Sequence, residues 1–260
     1  MVSQYKIGIT EAGDAGLDLS WGERLSIVDG AVLVTKCISP GFLDLALKHK
    51  DKLIIHTTFT GYGRTVVEPC VPPPYEEYDA IIQLVKKGFP KERIVVRVDP
   101  IIPTLKGTRT ALSAIETFMD QGFSRYRISV IDMYPHVRER FKLAGLPLPY
   151  GDGFSPSQEQ LARVDEMIRI AKTYWAEQHD LPLRIEACAE PGLTEPIACG
   201  CISAYDLTLL GLCDEQPDSI GYQRKNCMCY SGKTELLQYR QQCPHGCLYC
   251  YWKPKKDGVP

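Results

Sequence analysis

Short, nearly continuous apolar runs rich in β-branched residues recur along the chain as far as residue 188: YKIGIT (5–10), AVLVTK (31–36), KLIIHTTF (52–59), RIVVRV (93–98), YRISVI (126–131) and LRIEAC (183–188). Each has strand length, and unbroken apolar character suits a parallel strand covered on both faces better than a half-exposed antiparallel one. Between them, YEEYDAIIQLVKKG (75–88), TRTALSAIETFMDQG (108–122) and SPSQEQLARVDEMIRIAKTYWAEQ (155–178) repeat apolar residues at i, i+3 and i+4. Two of these end at Gly88 and Gly122, as helix C-termini often do. The alternation predicts an α/β fold of βα repeats with about six parallel strands, as a complete or partial barrel or an open doubly wound sheet. Six strands favour the partial βα barrel.

In such folds the functional loops follow the C-terminal ends of the strands. Here they are 10–18, 60–69, 99–107, 132–140 and 189–196, rich in Gly, Pro, acidic and aromatic residues. After residue 196 the alternation fades. Residues 1–196 therefore read as the barrel core and 197–260 as a cysteine-rich segment closing its mouth, within one integrated domain. GYG (61–63) and GDG (151–153) are too short for phosphate loops and read as turns.

With 30 basic and 32 acidic residues among 260, the net charge of −2 gives the surface no general attraction to phosphate backbones. The N-terminus lacks the pattern of a secretory signal, and no apolar run has the length of a membrane span. A cytoplasmic protein without membrane contact is expected, its oligomeric state left open. The eleven cysteines change the picture, because a reducing compartment does not favour disulfides and an odd number cannot pair completely. Cys37 and Cys70 stand alone and read as small buried apolar residues. The other nine fall between residues 188 and 250, which points to metal.

The sharpest feature is Cys243-Pro-His-Gly-Cys247-Leu-Tyr-Cys250, a CxxxCxxC spacing. Three thiolates in one short loop can hold three irons of a [4Fe-4S] cube and leave the fourth iron open. Cys247-Leu-Tyr-Cys250 is also a CxxC knuckle, so a structural zinc is the competing reading. The segment resembles the CxxxCxΦC signature of the radical SAM superfamily at every defined position. That resemblance implies S-adenosylmethionine on the open iron, with Tyr249 packed beside the adenine.

PHGCLYCY, the upstream YQRKNCMC, Cys188-Ala189-Glu190 and Cys201-Ile202 together resemble an uncharacterised family of radical-SAM-like proteins with a C-terminal cysteine motif. TFTGYGRTVVEPCVPPPYEEYDAIIQLVKKGFPKERIVVRVDPIIP is similar to the spore photoproduct lyase branch, in which an EP element and a PIIP strand end occur in the same order. Cys188, Cys201, Cys227 and Cys229 form a second possible ligand set, for an auxiliary [4Fe-4S] cluster or a zinc ion. Cys199 could replace Cys201, and Cys213 reads as a helix residue. Glu68, Arg97 and Asp99 would lie at strand ends where a carboxylate or guanidinium can hold the cofactor; Glu68, Arg97 and Tyr62 are the catalytic candidates.

The resemblance implies hydrogen abstraction from a small molecule, nucleotide or modified DNA, supplied with electrons by a flavodoxin or ferredoxin. The rival is a non-catalytic zinc protein with a cysteine-rich interaction tail. One departure stands out: the cysteine loop normally follows the first strand, yet here it comes after all six. The barrel is then either circularly permuted or closed by a tail folded back over the strand ends.

Overall fold

The computed structural model describes residues 5–212, 228–230, 233–238 and 243–252. All six expected strands form: β1 (Ile7–Ile9), β2 (Gly30–Thr35), β3 (Leu53–Thr58), β4 (Ile94–Ile101), β5 (Arg125–Val130) and β6 (Arg184–Cys188). Two further strands correct the expected number. These are β7 (Ile197–Cys199) and β8 (Lys233–Glu235), each three residues long and at an edge of the sheet. An edge strand with one partner needs little apolar sequence, and KTE has none to reveal it.

The sheet is wholly parallel in the order β7-β6-β5-β4-β3-β2-β1-β8 and curls into a half-barrel. The last strand in sequence thus sits beside the first. The cysteine loop follows β8, at the spatial start of the sheet, and also lies folded over the strand ends. The two topologies expected from sequence are here one arrangement.

Helices surround the sheet: α1 (Trp21–Arg24), α2 (Pro40–Lys48), α3 (Pro74–Lys86), α4 (Leu105–Met119), α5 (Pro135–Leu143), α6 (Gln158–Ala176) and α7 (Ala204–Leu209). The segment 132–140, expected as a loop, contains the start of α5. Pro135 opens that helix where its missing N–H costs nothing. Strand alternation sends Leu33, Ile55, Val96, Val98 and Ile128 outward against Ile115 and Phe118 of α4 and Val164 and Ile168 of α6. Phe118 is fully buried and meets Phe59 and Phe123 edge to face at 5.0 and 5.4 Å. Burying one such side chain is worth about 1.5–3 kcal/mol, so this layer supplies most of the apolar stabilisation.

The inner face has a different character. Ile7, Ile9, Val32, Ile54 and Val95 pack there against Ile202 and Leu207, around α7, and against Tyr230. Beside them β5 turns two arginines inward. Arg125 pairs with Asp206 at 2.5 Å, and Arg127 lies 2.7 Å from Glu186 and 3.7 Å from Asp206. Arg127 also donates to the carbonyls of Gly200 (2.6 Å) and Cys201 (3.1 Å). Burial would raise the Asp206 pKa, but Arg125 and Arg127 overcome it and hold the carboxyl below its usual range. Nearby His56 is fully buried, and burial together with Arg127 keeps it neutral.

Candidate functional site

The cysteine loop is seated across the C-terminal ends of β1 to β3 by side-chain and backbone contacts together. His245 Nε2 lies 2.7 Å from Asp14 Oδ2, in the loop after β1. That carboxylate is itself fixed, because it accepts from Gly16 N–H (2.8 Å), Thr35 Oγ1–H (2.6 Å) and Lys36 N–H (2.7 Å). Leu248 N–H donates to the Val67 carbonyl at 3.0 Å, and Cys70 N–H to the His245 carbonyl at 3.2 Å. From the far side Arg140 of α5 donates to the carbonyls of Cys250 (2.5 Å) and Trp252 (2.7 Å). Gly246 turns the loop at φ +65°, a conformation with a steric penalty for residues bearing a Cβ. Cys70, read from sequence as buried, is exposed, because the loop takes up its backbone and not its thiol.

Next to the loop, Glu68 Oε1 accepts from Lys36 Nζ at 3.0 Å and from the Tyr249 hydroxyl. Lys36 also lies 5.3 Å from the centre of the Tyr249 ring. Glu68 is 1 % exposed, and its second oxygen, like Oε2 of Glu77, has no protein partner. A buried carboxylate oxygen of this kind calls for a donor from outside the chain. Across the mouth, Arg97 pairs with Asp99, which also accepts from Ser129 Oγ–H. Tyr62, in contrast, turns its hydroxyl toward Thr110 on α4.

A second group joins the β6–β7 edge to the segment that precedes β8. The sulfurs of Cys188, Cys201 and Cys229 all fall within 4.8 Å of one another, and Cys188 and Cys201 are 3.7 Å apart. Cys201 N–H points to the Cys229 sulfur at 3.4 Å. Among the described residues this is the one cluster of three metal-ligating groups so close together. Of the loop cysteines, Cys247 is buried and Cys243 and Cys250 are partly exposed. Cys199 is buried in β7 outside that cluster; Cys213 and Cys227 lie outside the described residues. A groove of about 680 Å³ between α4, the start of α3 and the loop after β3 is lined by Lys106, Arg109 and Thr110. No cysteine is among its lining residues.

Residues 22–252 match the family model described as a domain of unknown function, DUF1848. The chain belongs to the DUF1848 family. No curated protein matches it. Among solved structures, a protein from Burkholderia cenocepacia J2315 provisionally named a phosphonomutase aligns at 12% identity and a TM-score of 0.25, covering 74% of this chain and 81% of that one. At that level the likeness bears on neither fold nor activity.

Two of the cysteines of this DUF1848 chain, Cys247 and Cys188, resist ionisation. Burial pushes Cys247 up to about 12 against the pull of Lys36. The hydrogen bond it shares with Cys201 and then burial raise Cys188 to about 12. Such groups bind metal by exchanging their proton for the cation. Burial would raise Glu68 as well, but Lys36 and the Tyr249 hydroxyl hold it ionised below its usual range. The sequence did not single out Lys36, Asp14, His245 or Glu77. The accessible signals were the place of Lys36 and Asp14 at strand ends and of His245 inside the cysteine motif.

Glu77, in the first turn of α3, behaves in the opposite sense to Glu68. Burial lifts it to about 9 from the usual 4.5, with Glu68 and Asp14 adding to the rise against Lys36. The folded state therefore retains a proton that the unfolded state gives up. That contribution to stability is full below about pH 4.5 and is lost as pH rises through about 9. Thermal unfolding should show the wild-type Tm falling more steeply between about pH 5 and pH 9 than that of Glu77→Gln. Equal slopes would remove Glu77 as the source.

Proposed function

We propose that this chain is a radical SAM enzyme in which Cys243, Cys247 and Cys250 hold three irons of a [4Fe-4S] cluster. The observation that supports this most directly is the seating of the CxxxCxxC loop across the strand ends. Cluster and S-adenosylmethionine together would supply a 5′-deoxyadenosyl radical able to take hydrogen from an unactivated carbon.

The chain's own part is to bind, orient and exclude water. The unpartnered oxygen of ionised Glu68, beside Lys36, is an acceptor for an ammonium or ribose hydroxyl. Arg97, clamped by Asp99, offers a buried Nε without a protein partner to a carboxylate. Tyr249, tethered to Glu68, presents a ring face for an adenine. The substrate class most in keeping with the photoproduct lyase resemblance is a nucleobase, nucleotide or modified DNA, with a flavodoxin or ferredoxin as reductant. Near-neutral net charge favours a small or single nucleotide over a duplex.

Anaerobic purification tests this against the rival zinc protein with an interaction tail. The expected protein is brown, absorbs broadly near about 400 nm, bleaches with dithionite and then releases 5′-deoxyadenosine from S-adenosylmethionine. Colourless protein that carries zinc alone and cleaves nothing would sink the proposal.

A further inference from the structure

We infer that Cys188, Cys201 and Cys229 bind a single thiophilic divalent ion, zinc or iron(II), and that this ion closes the half-barrel between its two edges. The sulfur spacing separates the alternatives. A tetrahedral ion with metal–sulfur bonds of about 2.3 Å sets its thiolates about 3.8 Å apart, whereas a [4Fe-4S] cube sets its terminal thiolates about 6 Å apart. The Cys188–Cys201 separation is 3.7 Å, and all three sulfurs lie within 4.8 Å. In a [2Fe-2S] cluster two ligands share an iron but the third belongs to the other iron, beyond that reach. Three thiolates this close fit one ion.

The backbone is built for the approach. A Cβ on Gly200 would come within 2.3 Å of the Met228 carbonyl oxygen and 2.8 Å of Cys229 Cα, so glycine alone lets the two segments meet. Cys188 ends β6 and Cys201 follows β7, at one edge of the sheet; Cys229 comes just before β8, at the other. β8 pairs with β1 over only three residues. Yet its Glu235 accepts from the backbone N–H of Glu11 and Ala12, both at 2.9 Å, and so shapes the loop that carries Asp14. An ion at Cys229 therefore also steadies the platform on which His245 rests. This inference stands apart from the cluster-loop assignment.

The test uses the full chain with Cys243, Cys247 and Cys250 all replaced by alanine, purified anaerobically and analysed for zinc, iron and acid-labile sulfide. The expected result is one zinc or iron per chain with no sulfide, lost when Cys201→Ser and Cys229→Ser are added. Several irons with matching sulfide, or no bound metal, would overturn it. Should the triple variant fail to fold, wild-type chain stripped of metal and given Co²⁺ without sulfide serves instead. Tetrahedral thiolate ligation then gives intense visible absorption, one equivalent at saturation, in the wild type and not in Cys201→Ser. Absorption that survives that substitution, or none in the wild type, overturns the inference equally. Failure of the cluster assignment would leave this metal in place, so the two outcomes are distinguishable.

Discussion

Replacing Cys247 by alanine is expected to abolish release of 5′-deoxyadenosine from S-adenosylmethionine and to remove the iron bound by the loop, while the metal at Cys188, Cys201 and Cys229 stays. Cys247 is the middle cysteine of the motif and the best buried of the three, 8 % exposed and surrounded by Lys36, Glu68 and Tyr249. A cube held by three thiolates is expected to be lost when one of its anchors is removed. Folding should be little affected, since the loop is held by His245, Leu248 and the Arg140 contacts to backbone carbonyls, none of which uses this thiol. Anaerobic reconstitution, iron analysis and product chromatography check the result. Cleavage at the wild-type rate would show that the chemistry belongs to other cysteines.

Asp206→Ala is expected to cost about 3–5 kcal/mol of stability, the range for removing one partner from a buried charge network. Asp206 is fully buried and faces Arg125 and Arg127, both about 2 % exposed or less, which would be left with excess positive charge and no route to water. The same carboxylate is the N3 half of a capping box at the start of α7, so the Ser203 N–H loses its acceptor as well, while Ser203 remains the N-cap. Because its folded pKa is depressed, the stability it brings is present above the unfolded carboxylate range and lost as pH falls through the folded value. Urea unfolding at neutral and acid pH measures both effects: the gap between wild type and variant should narrow toward low pH. A loss below about 1 kcal/mol would mean that water reaches the arginines.

The parts of the fold readable from sequence were those with long internal patterns. The six main strands and α3, α4 and α6 repeat apolar residues over many positions, and burial on one or both faces leaves that trace in any single chain. The short elements did not leave it. β7 and β8 are three residues each, and α5 is hidden in a segment with Pro, His and Arg in its first turns. The candidate site divides in the same way. Cysteine spacing is local and legible, so Cys243, Cys247 and Cys250 could be grouped from sequence. The partners that seat them, Asp14 to His245 and Glu68 to Tyr249, are separated by 231 and 181 residues and share no pattern.

Arg97 and Asp99 illustrate the boundary between the two. Alternation within a strand places both on one face, and that much follows from a period of two. Which face turns into the half-barrel, and that Ser129 from β5 completes the pair, depends on the register between neighbouring strands.

The sequence by itself determined the βα repeat and the grouping of the loop cysteines, because periodicity and thiol spacing are properties of neighbouring residues. Only the tertiary structure decided that the last strand lies beside the first and that the cysteine loop rests on β1 to β3. It alone brought Cys188, Cys201 and Cys229 to the spacing of one ion. Those facts rest on contacts between segments far apart in the chain, and such contacts are set by the packing of the whole sheet and not by any stretch within it.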